Sequence, residues 1–191
     1  ARSVRTAQWT ALDQVARGAG VSSPVQQVIE DALRENALNY APYEGARGGG
    51  LIVELPGERK LITNTLLSIG DHSVRAEAFV CRKPDENFEG VYRFLLRRNR
   101  RLYGVAYTLD NLGDIYLVGR MSLGSVTADE IDRVLGQVVE AVNSDFNTLL
   151  ELGFKTSIQR EWAWRVAHGE SLKNLKAFEH LIEDGETEPD L

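Results

Sequence analysis

Apolar positions recur along the chain at two spacings, and each spacing predicts a different element. Ser23 is suited to cap a helix and Pro24 to begin one, because the first helical residue needs no free N–H. The apolar residues that follow lie at i, i+3, i+4, i+7 and i+8: Val25, Val28, Ile29, Ala32 and Leu33. This stripe predicts an amphipathic helix that fades near Asn39.

A period of two predicts strands in the next part of the chain. Between Val74 and Cys81, small apolar residues alternate with larger or charged ones, which is typical of a strand with one buried face. Residues 51–55 and 60–69 flank the turn 56–59 and are expected to form a hairpin that pairs with this strand. The glycine-rich segment 45–50 before them is expected to be a loop.

A second helix and a second hairpin follow. Asp85 can cap the helix, whose apolar positions are Phe88, Val91, Tyr92, Leu95 and Leu96. The hairpin joins residues 103–109 to 115–123 through a turn in which Asn111 or Gly113 can take a positive φ.

The longest helix is predicted to open at a capping box formed by Thr127 and Glu130 and to end at Gly153. Its apolar seam comprises Ile131, Val134, Leu135, Val138, Val142, Phe146, Leu149 and Leu150. The order of helix, three strands, helix, two strands and helix predicts an α+β fold with an antiparallel five-stranded sheet.

Four segments follow from this pattern. Residues 1–21 form an N-terminal extension, residues 22–153 the domain, residues 154–182 a helical appendage, and residues 183–191 an acidic tail that we expect to be disordered.

Composition narrows the class of protein. In 191 residues, 43% are hydrophobic, which is enough for a core, and the net charge of −6 disfavours nucleic acid as the main partner. Cys81 is the only cysteine, so neither an intrachain disulfide nor a cysteine-based metal site can form. The sequence shows no membrane-length apolar run and no signal-peptide core, so we expect a cytoplasmic protein.

Each candidate for catalytic chemistry is better interpreted structurally. The glycines of 45–50 lie between a helix and a strand, which is the reverse of the order in a phosphate-binding loop. His72, His168 and His180 are scattered without metal-ligand spacing, and Cys81 is expected to be a buried packing residue. We therefore expect no catalytic residue, no metal site and no cofactor.

Two clusters are candidates for binding. Arg97, Arg98, Arg100 and Arg101 lie at a helix C-terminus, where cations are stabilising; the alternative is an anion-binding or nucleic-acid-binding site. Trp162 and Trp164 cannot share one face of a helix, so one can pack while the other stays exposed. With Phe178 and Leu181 they can form a docking patch for a protein; the alternative is that they pack on the core.

The element order resembles that of type III secretion chaperones, and the sequence resembles one branch of that fold, the YbjN family of bacterial sensory-transduction regulators. The resemblance covers residues 22–152. It is carried by Leu51–Cys81, by the run from Arg98 to Tyr107 followed by Leu109–Leu117, and by Thr127–Ile131 before a long helix. It implies a non-enzymatic protein, often dimeric, whose sheet and helix surfaces hold a segment of a protein partner.

Two hypotheses therefore remain. The first is a homodimeric, chaperone-like or regulatory protein that binds another protein, without a membrane or nucleic acid. The second is a small-ligand sensor with a pocket on the sheet, lined by Tyr92, Tyr103, Tyr107, Tyr116, Arg75 and Arg120.

Overall fold

The computed structural model describes residues 23–45 and 48–183. The helices are α1 (Pro24–Glu35), α2 (Phe88–Asn99), α3 (Ala128–His168) and α4 (His180–Glu183). The strands are β1 (Asn39–Gly45), β2 (Gly48–Pro56), β3 (Ile62–Ile69), β4 (Ser73–Cys81), β5 (Val105–Leu109) and β6 (Ile115–Ser122). Short 3-10 turns occupy Leu123–Ser125 and Lys176–Phe178. The predicted extension and residues 184–191 of the predicted tail lie outside the described residues.

The described strands form one antiparallel sheet in the order β1-β2-β3-β4-β6-β5. The α+β class with an antiparallel sheet is confirmed, but the sheet has six strands, not five. The strand missing from the prediction is β1, which pairs with β2 from Asn39↔Glu54 to Gly45↔Gly48. The glycines Gly48, Gly49 and Gly50, expected in a loop, therefore belong to β2.

Alternate residues of each strand are buried beneath the helices. On β4, Val74, Ala76, Ala78 and Val80 are at most 1% exposed, whereas the residues between them are half-buried. Side chains of α1, α2 and α3 complete the core on this side: Ile29, Leu33, Val91, Leu95, Ile131, Val138 and Leu149. The sheet thus has one face buried by helices, as the alternation predicted.

The helix caps agree with the sequence at two of three positions. Ser23 Oγ accepts from the N–H of Gln26, and Thr127 Oγ1 accepts from the N–H of Glu130. The predicted cap at Asp85 is wrong, because α2 is capped by Asn87, whose side chain accepts from the N–H of Gly90.

The predicted helix end at Gly153 coincides with a break in α3, because Phe154 has non-helical angles of φ −144° and ψ 18°. A second helical stretch then continues to His168, which the sequence pattern did not predict as part of the same helix. Gly153 also serves close packing: a Cβ there would lie 3.0 Å from Pro84 and 3.3 Å from Val91. The predicted appendage therefore begins as the second half of α3.

The chain after α3 folds back on it. Phe178 and Leu181 are buried, and the carbonyl of Leu181 accepts a hydrogen bond of 2.7 Å from Nε2 of Gln159 on α3. These contacts hold the C-terminal segment against the bent half of α3.

Strand β5 lies at one edge of the sheet, and a side chain from α2 covers part of it. The amide of Asn99 donates to the carbonyl of Tyr107 (3.2 Å) and accepts from its N–H (2.7 Å). Asn99 thereby satisfies backbone groups that a further strand would otherwise bind. Within the described ranges, no helix combines the length and apolar character needed to cross a membrane.

Candidate functional site

Helix α2 presents large apolar side chains to solvent. Its inner positions, Val91 and Leu95, are buried in the core. Phe88, Tyr92 and Leu96 lie four residues apart on another face; Phe88 is 40% and Leu96 68% exposed, and Tyr92 is half-buried. We call these three residues the α2 ridge. Of the apolar stripe predicted for this helix, Val91 and Leu95 are buried in the core and Tyr92 packs against it, which leaves Phe88 and Leu96 exposed.

Charged residues border the α2 ridge, with the acidic residue at the N-terminal end and the basic residues after it. Glu89 lies in the first turn, and Arg93, Arg97 and Arg100 follow toward the C-terminus. A shallow groove of about 540 Å³ runs along these residues with Tyr92 and Leu96. Glu89 is paired with Arg93 one turn further on, whereas Arg97 and Arg100 have no such partner among the described residues, so the face becomes more basic toward the C-terminus of the helix.

Of the four arginines in the predicted cluster, one forms a buried ion pair and three have no carboxylate partner among the described residues. A recess of about 430 Å³ is lined by Phe94 and by Arg97, Arg98, Arg100 and Arg101. Arg98 is engaged, because its Nε lies 2.7 Å from Oδ2 of Asp145. No carboxylate of the described residues lies within ion-pair distance of the other three arginines, which remain the predicted anion-binding group.

Asp145 is the centre of a buried polar network. It is 4% exposed and accepts from Arg98 and, at 2.8 Å, from the hydroxyl of Tyr107. Arg98 also lies 3.3 Å from Glu140. Burial, and then the charge of Asp145, raise the pKa of Tyr107 well above its usual value. The network joins α2, α3 and β5, and its neutral tyrosine has a structural role.

The predicted docking residues near the C-terminus lie in different environments. Trp164 is 50% exposed and stacks on His168, with ring centroids 4.4 Å apart, while Trp162 is half-buried. Both lie on α3. Phe178 and Leu181 are buried, so a surface patch that includes them does not form. Docking through Trp162 and Trp164 stays a prediction.

The residues proposed for a small-ligand pocket do not converge. Tyr107 lies in the core, Tyr92 on α2, and Tyr103 bonds Glu130 near the start of α3. Tyr116, Arg75 and Arg120 lie on the sheet face opposite the helices, as their registers show. The pocket expected from these six residues is therefore not formed.

That opposite face, which we call the open sheet face, carries an apolar row that the sequence analysis did not single out. An apolar row crosses it, comprising Ile52, Leu66 and Val118, interrupted only by Glu77 on β4. Arg75 and Arg120 are direct cross-strand partners beside that row, an unfavourable placement of like charges. Arg75 is paired with Glu77 at 2.8 Å, whereas Arg120 is exposed.

The environment of the cysteine does not favour a reactive thiol. Cys81 is buried, and burial raises the pKa of its thiol to about 12, the opposite of what a nucleophilic thiolate requires. Among the described residues, no group of three or more His, Cys, Asp or Glu side chains could hold a metal ion.

Two solved structures share a partial likeness with this fold. One is the heterodimeric ExoU–SpcU complex from the type III secretion system of Pseudomonas aeruginosa, 15% identical over 66% of this chain and 98% of that chain, with a TM-score of 0.44. The other is the HopA1–SchA chaperone–effector complex, 10% identical over 62% of this chain and 89% of that chain, with a TM-score of 0.44. A likeness of this degree carries no argument about function.

Sequence comparisons are much stronger. Proteins of Mycobacterium leprae (strain TN) and Mycobacterium tuberculosis (strain ATCC 25618 / H37Rv), both described as uncharacterized, are 71% identical over 159 residues. The matches cover 82% of this chain and 86% and 87% of those proteins. The family model for YbjN, described as "Putative bacterial sensory transduction regulator", matches residues 26–151. The resemblance seen in the sequence is confirmed, and the chain belongs to the YbjN family.

Proposed function

We propose that this protein is a cytoplasmic, non-enzymatic regulator that forms a homodimer and binds another protein. The observation that carries the proposal is the α2 ridge: exposed Phe88 and Leu96 with half-buried Tyr92 between them, beside Glu89 in the first turn and Arg97 in the last. Exposed apolar surface rimmed by charge is typical of protein interfaces. The pKa values of Cys81 and Tyr107, both raised by burial, favour structural roles for these groups over catalytic ones.

The ridge is matched to a second copy of itself. In an antiparallel pair with Tyr92 at the two-fold axis, Phe88 of each copy faces Leu96 of the other. The same pairing brings Glu89 close to Arg97 of the partner copy. A parallel pair would instead oppose like charges at both ends.

The neighbouring hairpin can extend this interface. Leu109 and Leu112 are exposed at the end of β5 and in the turn that follows. Lys83 connects them to the ridge, since its Nζ lies 5.6 Å from the ring centroid of Phe88 and its stem lies beside Gly113. A stable dimer needs roughly 800 Å² from each partner, which the ridge and hairpin together would have to supply.

Sedimentation velocity over a range of concentrations tests the dimer. We expect Leu96→Glu to weaken association at least ten-fold, because it places a carboxylate at the apolar contact. The matched control is Leu61→Glu, at an exposed leucine on the β2–β3 loop. Glu89→Arg and Arg97→Glu should each weaken the dimer, and the double variant should restore it. A wild-type protein that stays monomeric, or a dimer unaffected by Leu96→Glu, would refute this interface.

The protein partner is proposed to bind the open sheet face. An extended segment with apolar side chains could cover Leu66 and Val118, and an acidic residue in it could neutralise Arg120. A photo-crosslinking amino acid in place of Leu66 should yield one defined adduct in bacterial cells that encode the protein. The same amino acid at exposed Arg160 on α3 should not. Equal labelling at both positions would count against a partner on this face.

A further inference from the structure

A cleft opens where the bend of α3 passes the end of β4. Its volume is about 360 Å³, and one wall consists of apolar side chains from α3 and the C-terminal segment: Phe146, Leu150, Phe154, Ile158 and Leu175. The opposite wall is the end of β4 from Phe79 to Cys81 and the next residue, Arg82, together with Lys60 from the β2–β3 loop. We call this space the bend cleft. Its size lies within the usual range for small-molecule sites.

Lys60 lines this largely apolar space and carries a positive charge. Its Nζ donates to the carbonyls of Phe79 (2.5 Å) and Val80 (3.2 Å) and lies 4.8 Å from the centroid of the Phe79 ring. An ammonium group has three N–H donors, so one remains for a ligand. None of the described carboxylates lies within ion-pair distance of Lys60.

The other polar groups that line the cleft do not neutralise the positive charge of Lys60. Directly after β4, Arg82 adds a second cation, 5.9 Å from the centroid of the Phe154 ring, and the Cys81 thiol at the end of the strand is neutral. From α3, Glu161 lines the rim but is paired with Arg165 at 2.7 Å. Desolvation lowers the pKa of Lys60 to about 8, so the group is still mostly protonated at neutral pH.

The lysine is held in position before any ligand arrives. The N–H of Gly57 donates to the carbonyl of Leu61, which closes the loop around Lys60. Oδ1 of Asn143 on α3 accepts from the N–H of Glu58 at 2.8 Å and pins the loop to the helix. A side chain at position 57 would collide with the carbonyl of Lys60, 2.5 Å from a Cβ. Such preorganisation favours a binding site over a chance depression.

We propose that the bend cleft binds a small amphipathic carboxylate, such as a medium-chain fatty acid. The aliphatic body lies against Leu150, Phe154 and Leu175, and the carboxylate accepts the free N–H of Lys60 and approaches Arg82. A neutral ligand would leave the lysine without a counter-charge, and a highly charged one such as a nucleotide would bring polar groups against the apolar wall.

Calorimetric titration with sodium decanoate and with decan-1-ol, both below their aggregation limits, tests the assignment. We expect decanoate to bind and decanol to bind at least ten-fold more weakly. Lys60→Met should weaken decanoate binding at least ten-fold, while Lys60→Arg retains it. Lys155→Met, at an exposed lysine beside the bend, is the matched control and should bind as the wild type does.

The apolar wall is tested separately with Leu150→Trp, which fills the cleft and should abolish binding. Circular dichroism of each variant shows whether it is folded. If Lys60→Met does not fold, Lys60→Arg still tests whether a cation at this position binds the carboxylate. Equal binding of decanoate and decanol, unchanged binding by Lys60→Met, or no binding of decanoate to the wild type would overturn the proposal. Binding of only a hydrophobic peptide with a free C-terminus would assign the cleft to a protein partner instead.

Discussion

Replacing Asp145 by alanine should destabilise the protein far more than removing the exposed charge of Glu140 from the same network. The carboxylate accepts charge-assisted or buried hydrogen bonds from Arg98 at 2.7 Å and from Tyr107 at 2.8 Å. Its side chain is 5% exposed and that of Arg98 20%, so water can replace little of what is lost. Removing one partner of a buried ion pair costs about 3–5 kcal/mol.

We expect the lower end of that range, about 3 kcal/mol, for two reasons. Glu140 still lies 3.3 Å from Arg98, so the guanidinium keeps one carboxylate partner after Asp145 is removed. The hydroxyl of Tyr107 can still donate to the carbonyl of Ala141, at 3.3 Å. With a denaturant slope of about 2 kcal/mol per molar urea, the unfolding midpoint should fall by about 1.5 M.

Urea unfolding followed by circular dichroism measures this change. Glu140→Ala is the control, because its side chain is 53% exposed and surface pairs contribute about 0–1 kcal/mol. The double variant Arg98→Met/Asp145→Leu should be more stable than Asp145→Ala, since it leaves no buried charge unpaired. A loss below about 1 kcal/mol for Asp145→Ala, or one equal to that of Glu140→Ala, would refute the reasoning.

Two further predictions concern Lys60 and Gly119. Because the pKa of Lys60 is about 8 when folded and 10.5 as an ordinary lysine, the unfolded chain binds its proton more tightly between these values. The free energy of unfolding of the wild type should therefore rise with pH between these values relative to that of Lys60→Met. The rise should be at most about 3 kcal/mol, because the group is only half-buried. Urea unfolding at several pH values measures it, and a difference between the two proteins that does not change with pH would contradict the prediction. Gly119→Ala should cost about 2 kcal/mol in the same assay, since its Cβ would lie 2.2 Å from the carbonyl oxygen of Gly104, whereas Gly124→Ala, with open space around it, should be neutral.

The sequence predicted those elements whose signals are local. The stripe of α1, the alternation of β4 and the turn with Gly113 at φ 85° depend on neighbouring residues, and the structure has each of them. Strand β1 was missed because Pro42 and the flanking glycine indicate a turn, although proline is tolerated in an edge strand.

The remaining differences have long-range causes. Gly153 does precede the break in α3 at Phe154, but the local pattern shows neither that the helix resumes to His168 nor that Pro84 packs on the glycine. Asp85 looked like a helix cap, but its carboxylate instead accepts from the hydroxyl of Ser157, 72 residues away. The bend cleft could not be predicted either, since Lys60 and the apolar side chains of α3 come to line one space only through the fold. Local pattern cannot decide such cases, because the same residue type serves caps, stops and tertiary contacts.

The side chain of Asn99 has a consequence for how this protein can associate. By occupying the backbone donor and acceptor of Tyr107, it removes a site at which another chain could add a strand to β5. At the far edge, Pro42 in β1 lacks an N–H to offer. Sheet extension from chain to chain, the usual beginning of fibrillar aggregation, is therefore obstructed at both ends, and recognition is directed to the faces of the molecule.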